Sequence, residues 1–278
     1  MVSNKTKPIF ILGSGRCGTF QISKIFDEYE NASAHHEFLF DNILESCVLY
    51  KMERISKSDV KNLILSTHMA EVNLTNDDVW IDSSNALPWI ADVLLEIFPD
   101  AKFVHLIRDG RKVVSSFFNK FQTVMYHEDY VKKQKNWLDN PHNAIKPPPY
   151  KNYWRPLPGY GKNYLNAVPK DRFEHLCWYW GEINLHIDNF KDSVNQNNYL
   201  EIKLENLVND INYFESFINF MDLEYKPELF KKIERPLNVA EPKNYILSLE
   251  EKIKYDNICG EVAQKFGYHD KDEYAVKY

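Results

Sequence analysis

The sequence has no closely spaced cysteines. Cys17, Cys47, Cys177 and Cys259 are its only four, and no two form a C-x-x-C pair. That argues against a zinc site or a disulfide framework and favours a reducing compartment. No stretch approaches the roughly 18 apolar residues needed to span a bilayer. The opening MVSNKTKPIFIL has too short an apolar run for a secretory signal, so a cytoplasmic protein without membrane association is expected. There is no basic excess either. A net charge of −6 excludes a global field for nucleic acid or an anionic polysaccharide, while leaving room for a local basic pocket. No internal repeat, metal-ligand cluster or domain boundary is visible, so 1–278 is read as a single domain. A hydrophobic content of 44% and a charged content of 27% suit a soluble globular enzyme.

What is present is an alternation of short apolar runs with longer segments of helical period. PIFIL (8–12), VWID (79–82), KFVHLI (102–107) and YLEIKL (199–204) read as strands, the first three nearly continuous in apolar residues as buried parallel strands are. Phe20, Ile22, Ile25, Phe26 and Tyr29 place a stripe on a helix after the first strand. Leu87, Ile90, Ala91, Leu94 and Phe98 make another. Phe173, Leu176, Cys177, Trp180, Ile183, Ile187 and Phe190 hold the spacing over five turns, and a last helix covers 249–266, stopping at Gly267. The fold class expected is α/β, a parallel central sheet flanked by helices. Residues 121–170, rich in Pro, Tyr, Trp and Lys, show no sustained period; an insertion of this length is either a functional lid or disordered, and its aromatic content argues against disorder.

The first strand runs into Gly13-Ser14-Gly15-Arg16-Cys17-Gly18, which fits both G-x-x-x-x-G and G-x-G-x-x-G. The triphosphate template should continue with Lys and then Ser or Thr, whereas Thr19 and Phe20 follow. The dinucleotide template needs a second strand ending in an acidic residue about 20 positions on. That region, ENASAHHEF, is polar and a poor strand, although Glu37 lies near the right distance. A cysteine phosphatase would need an Arg where Ser23 stands. A strand, glycine turn and helix start still make an anion site from backbone N–H groups and the helix dipole, with Arg16 and Thr19 adding a cation and a hydroxyl. The bland alternative is a glycine turn without a ligand. A second site lies in KFVHLIRDGRKVVSSFF. Arg108 ends a strand where ligands of open α/β sheets bind, and Ser116 follows about two helical turns on. Two anion sites on one sheet edge suit a ligand with phosphates at both ends of a nucleoside.

On these residues the sequence resembles the PAPS-dependent sulfotransferases, which use 3′-phosphoadenosine 5′-phosphosulfate. Arg16-Cys17-Gly18-Thr19, preceded by Gly15, is similar to the family's loop for the 5′-phosphosulfate, and Phe20 departs where a hydroxyl is usual. Arg108 and Ser116 match its 3′-phosphate motif. FPDAKFVHLIRDGR looks like the bacterial and carbohydrate-type branch, and HLCWYWGEIN, YLEIKLENLVND and ICGEVAQKFGY extend the similarity over most of the chain, with 121–170 its least matched part. The resemblance implies a P-loop-nucleotide-kinase-like fold, in-line attack of a hydroxyl or amine on sulfur, and no metal. It assigns Arg16 to the departing phosphate and Glu37 to the general base, with His36 and Asp82 as alternatives; packing or capping is the bland role for each of those two. A late loop would bring Lys243, or less directly Arg235, to the 3′-phosphate.

Acceptor specificity is expected in 121–170 and around Trp178 and Trp180, with Arg155 or Glu128 orienting a small molecule or modest glycan, a cationic one among the candidates because the chain is acidic. The family often dimerises, though nothing marks an interface. Two rivals stay open: a nucleotide kinase or NTPase with a degenerate loop, requiring ATP and Mg²⁺, and a sulfotransferase-like binding protein without a base.

Overall fold

The computed structural model describes residues 6–120, 124–234 and 247–269. Strands β1 (Lys7–Gly13), β2 (Ala32–His36), β3 (Val79–Ser84), β4 (Lys102–Ile107) and β5 (Tyr199–Lys203) form one sheet in the order β2-β3-β1-β4-β5. Every neighbouring pair is parallel, and β1 lies at the centre between β3 and β4. Helices α1 (Thr19–Phe26), α2 (Phe40–Lys51), α3 (Lys57–Ile64), α4 (Ala70–Leu74), α5 (Ala91–Ile97), α6 (Gly110–Lys120), α7 (Glu128–Asp139) and α8 (Arg172–Phe190) connect the first four strands and lead toward the fifth. Helices α9 (Leu204–Asn209), α10 (Ile211–Phe220), α11 (Pro227–Ile233) and α12 (Leu249–Lys265) follow β5.

The absence of alternation in Ile9-Phe10-Ile11-Leu12 has a direct cause. Successive side chains of a strand point to opposite faces. Ile9 and Ile11 enter one apolar layer, with Ile22, Ile25 and Phe26 of α1 and Phe214, Phe217 and Ile218 of α10. Phe10 and Leu12 enter the other, with Val113, Val114 and Phe117 of α6 and the long helix α8. Both faces are therefore covered, and all four side chains are fully buried. The helix after β1 and the helix after β4 thus lie on opposite faces although the two strands are adjacent. Such a reversal opens a crevice at the carboxyl ends of the strands, between the glycine loop and Arg108.

Two expectations from the sequence need correction. ENASAHHEF does contain a strand: β2 is the sheet edge, bonded only to β3, and each of its residues is half-buried. An edge strand needs no continuous apolar run, and its His35 ring packs on Trp80 (centroids 5.2 Å apart). The region 121–170 is not wholly irregular, because α7 occupies 128–139, its amide start capped by His127. Its inward positions include Gln134 as well as Leu138, which breaks the apolar stripe. The last helix ends at Lys265 with Gly267 at φ +73°, as the glycine stop requires. No helix among the described residues is long and apolar enough to cross a membrane.

The chain between α7 and α8 is pinned rather than loose. Trp154 is fully buried and its Nε1 donates to Pro148 O at 2.9 Å. Glu182 of α8, fully buried, accepts from the amides of Tyr164 and Leu165 and from Lys51 Nζ at 2.8 Å. Lys51 Nζ also donates to Lys162 O. A buried ion pair with further hydrogen bonds to the same groups holds the C-terminal half of this segment on α2 and α8.

Candidate active site

Three residues of left-handed backbone shape the glycine loop: Gly15 (φ +75°), Arg16 (φ +55°) and Gly18 (φ +96°). At Gly18 a Cβ would lie 2.7 Å from Leu204 Cδ1, and at Gly15 it would lie 2.9 Å from Asn85 Nδ2, so these two glycines are required by space as well as by φ. No side chain caps α1 at Gly18, which leaves the first amides of the helix directed at whatever anion the loop holds. Cys17 has a different role from a side-chain ligand. It is fully buried, with its Sγ packed beneath Gly13, and burial pushes the thiol up, so only its backbone faces the loop. Thr19 is buried and its carbonyl accepts from Ser83 Oγ at 3.2 Å. Phe20 is half-exposed, its ring edge-on to His36 at 5.4 Å.

The two motifs separated by about a hundred residues meet in space. Arg108, at the carboxyl end of β4, donates from Nη1 to Arg16 O at 2.7 Å. Arg16 donates from Nε to Ser116 Oγ at 2.8 Å. Arg108 is buried, and its own carbonyl is held by Trp180 Nε1 at 3.1 Å. Burial lowers the Arg16 pKa, and the positive charge of Arg108 lowers it further. Lys112, one turn into α6, is pushed down to about 8 by burial first and by Arg108 second. Lys120 is lowered by burial and then by Arg16. Several cations forced together in a partly desolvated crevice are held at electrostatic cost, which an anion between them relieves. Acidic groups stand among them: Glu205 and Asp109 act on Arg108, Asp109 on Lys112 and Glu37 on Arg16.

Glu37 follows β2 and sits in left-handed backbone (φ +59°), its amide donating to Ser83 O at 3.1 Å. Its Oε1 accepts from Asn85 Nδ2 at 2.9 Å. The same Asn85 lies against Gly15, so Glu37 is tied through one side chain to the glycine loop. Burial raises the Glu37 pKa, opposed by the neighbouring His36 and by the cations Arg155 and Lys151. A desolvated carboxylate beside an anion crevice is equipped to accept a proton. His36 is engaged through Nδ1 with Ser83 O (3.1 Å) and Ser83 Oγ (3.2 Å). Asp82 is fully buried; it accepts from the Phe38 amide at 3.1 Å and contacts His68 Nε2 at 3.3 Å. Both of its oxygens are committed to core contacts, away from the crevice, so it does not stand beside Glu37 as a second base. His105 packs in the core against Asn184, as its mid-strand position suggests.

The structure thus brings together Gly15, Arg16, Gly18, Thr19, Arg108, Ser116 and Glu37. Lys243 and Arg235 lie outside the described residues. Asn85 was missed by sequence reasoning as a site residue; its signal was its place directly after the strand end IDSS, where a parallel sheet presents side chains to ligand.

Comparison with known proteins bears on the family and the fold. The family model described as Sulfotransferase family matches residues 8–146, half of the 278-residue chain. No curated protein shows significant similarity to the sequence. Among solved structures, the sulfotransferase domain of the Synechococcus PCC 7002 olefin synthase superposes with a TM-score of 0.52 at 16% identity, covering 96% of this chain and 97% of that one. A sulfotransferase from Alicyclobacillus acidocaldarius gives 0.50 at 11% identity, covering 95% and 96%. One from Mycobacterium avium gives 0.51 at 12%, covering 98% of this chain and 79% of that one. At these identities the likeness is one of fold.

Proposed function

The chain belongs to the sulfotransferase family, and on that premise we propose that it moves a sulfuryl group from 3′-phosphoadenosine 5′-phosphosulfate (PAPS) to a hydroxyl or amine of a small-molecule or glycan acceptor. It does so as a single cytoplasmic domain, without a nucleic-acid or membrane partner. The observation that carries the reading is the hydrogen-bonded chain Arg108–Arg16–Ser116, which joins a 5′-phosphate loop to a 3′-phosphate motif.

The residues present fit that nucleotide. The amides at the start of α1 and the loop around Gly15 and Gly18 receive the 5′-phosphosulfate, and Arg108 with Ser116 receives the 3′-phosphate. PAPS supplies an activated sulfuryl group and a bisphosphate leaving group. Arg16 holds positive charge where the departing phosphate gains negative charge, in a crevice where burial strengthens the interaction. Glu37 takes the proton of the attacking hydroxyl or amine as its oxygen or nitrogen bonds to sulfur, and Asn85 keeps the carboxylate turned toward the loop. Phe20 offers no hydroxyl, so at that position only its backbone N–H serves the phosphate. The missing lysine after Gly18 disfavours a nucleoside triphosphate.

Thermal unfolding with adenosine 3′,5′-bisphosphate (PAP), with ATP plus Mg²⁺, and with NAD⁺ tests the reading. A ligand at a hundredfold excess over its Kd stabilises the fold by about 2.7 kcal/mol. Stabilisation by PAP above the other two is expected; stabilisation by ATP or NAD⁺ with none by PAP would refute it.

A further inference from the structure

The segment between α7 and α8 carries one buried arginine that nothing in the nucleotide site uses. Arg155 is 7% exposed. Its Nη1 donates to Trp154 O at 2.7 Å, while its Nε meets no acceptor, and it forms no ion pair among the described residues. A guanidinium buried without a carboxylate is uncommon, because the charge loses hydration and gains little in return. Its position is nevertheless built. Gln134 Nε2 of α7 donates to Arg155 O at 2.9 Å, and Tyr126 Oη donates to Pro156 O at 2.8 Å.

The same contacts lead to the reaction centre. The Tyr126 ring packs on Tyr179 (centroids 6.1 Å), whose hydroxyl donates to Ser14 O of the glycine loop at 3.2 Å. Tyr179 also packs on Phe117, which together with Asn85, the partner of Glu37, lies beside Gly15. Tyr126 and Tyr179 therefore connect the backbone beside Arg155 to the loop, and the Arg155 charge acts on the Glu37 carboxyl together with that of Lys151. The other groups acting on Glu37 include His36, Arg16 and the sealed Asp82. Around the base the balance is cationic although the whole chain is acidic, so a cationic acceptor would meet charge of its own sign.

We propose that Arg155 determines acceptor specificity: its guanidinium pairs with an oxyanion, carboxylate or phosphate, borne by the acceptor, and so presents the acceptor's hydroxyl or amine to Glu37. This rests on the sulfotransferase reading above. Planar paired N–H donors match a carboxylate or phosphate, which gives orientation as well as charge. A cationic acceptor, one of the candidates drawn from net charge, gives way in this proposal to an anionic one drawn from the local field.

The test uses four phenols of one shape and different charge, 4-hydroxyphenylacetate, its methyl ester, tyramine and 4-hydroxybenzylphosphonate, titrated calorimetrically into the PAP-loaded chain. At least one of the two anions should bind about tenfold or more tightly than the ester and tyramine, and whichever leads identifies carboxylate or phosphate as the preferred group. Arg155→Gln should abolish the preference while PAP affinity stays unchanged, and Arg155→Lys should restore part of it. A wild-type series in which neither anion binds better than its neutral and cationic twins, including one in which neither binds at all, overturns the proposal. So does a preference that survives Arg155→Gln. Loss of PAP binding by the wild-type chain would instead refute the sulfotransferase reading.

Discussion

Arg16 and Ser116 are joined across a hundred residues of sequence by a single hydrogen bond, Nε to Oγ at 2.8 Å. It ties the glycine loop after β1 to α6, the helix that follows β4. Because the donor is charged and partly buried, Ser116→Ala should weaken PAP binding about tenfold, or about 1.4 kcal/mol. Arg16→Ala and Ser116→Ala should also be non-additive, with a coupling of about 1 kcal/mol measured by calorimetry on the double-mutant cycle. Strict additivity would mean the two residues bind the nucleotide independently.

Glu37 is expected to act in chemistry and not in nucleotide binding. Glu37→Gln keeps its shape and its acceptor oxygen for Asn85 but cannot take a proton at neutral pH. Turnover should fall by about 10²–10⁴ while the Kd for PAP stays within experimental error. Unchanged turnover would move the base elsewhere, with His36 the next nearest group on β2.

The pH profile follows from the direction of the Glu37 shift. The base works ionised, and burial raises its pKa above the ordinary carboxylate value. kcat/KM should therefore decline as pH falls through a value above about 4.3, the unperturbed glutamate pKa. Asn85 donates to the ionised form, so Asn85→Leu should move this acid limb to still higher pH. A limb that does not move in the variant would separate Asn85 from the base.

The buried pair Lys51–Glu182 anchors the segment that carries Arg155. Glu182→Gln preserves an acceptor for the amides of Tyr164 and Leu165 but leaves the Lys51 charge buried without its partner. Denaturant unfolding should register a loss of about 3 kcal/mol, most of it regained on adding Lys51→Met. A variant as stable as the parent would show that water reaches Lys51.

Much of this architecture is legible in the sequence because its physical requirements are local. Strands β1, β3 and β4 are buried on both faces, so each needs a continuous apolar run. The glycine loop needs left-handed backbone at Gly15 and Gly18, where an added Cβ would also press on Asn85 or Leu204. Strand β2 escaped because an edge position tolerates ASAHH, and α7 because Gln134 occupies an inward site. The contacts around Glu37 are not local at all: Asn85 and Glu37 are 48 residues apart and meet only because β2 and β3 pair in parallel. Asp82 looked available from its strand-end position, yet its register turns it into the core toward His68. The unpaired state of Arg155 is a property of packing, and no spacing rule encodes it.

On the proposed function, one site reads both ends of a nucleotide, with Arg108 reserved for the 3′-phosphate. The measurement that tests it most directly is the ratio of Kd values for PAP and adenosine 5′-phosphate, in the wild-type chain and in Arg108→Ala. The two ligands differ only in the 3′-phosphate. The wild type should favour PAP by about a hundredfold, the scale of one or two charge-assisted bonds, and the ratio should collapse toward unity in the variant. Equal affinities in the wild type, or a ratio unchanged by Arg108→Ala, would contradict the account.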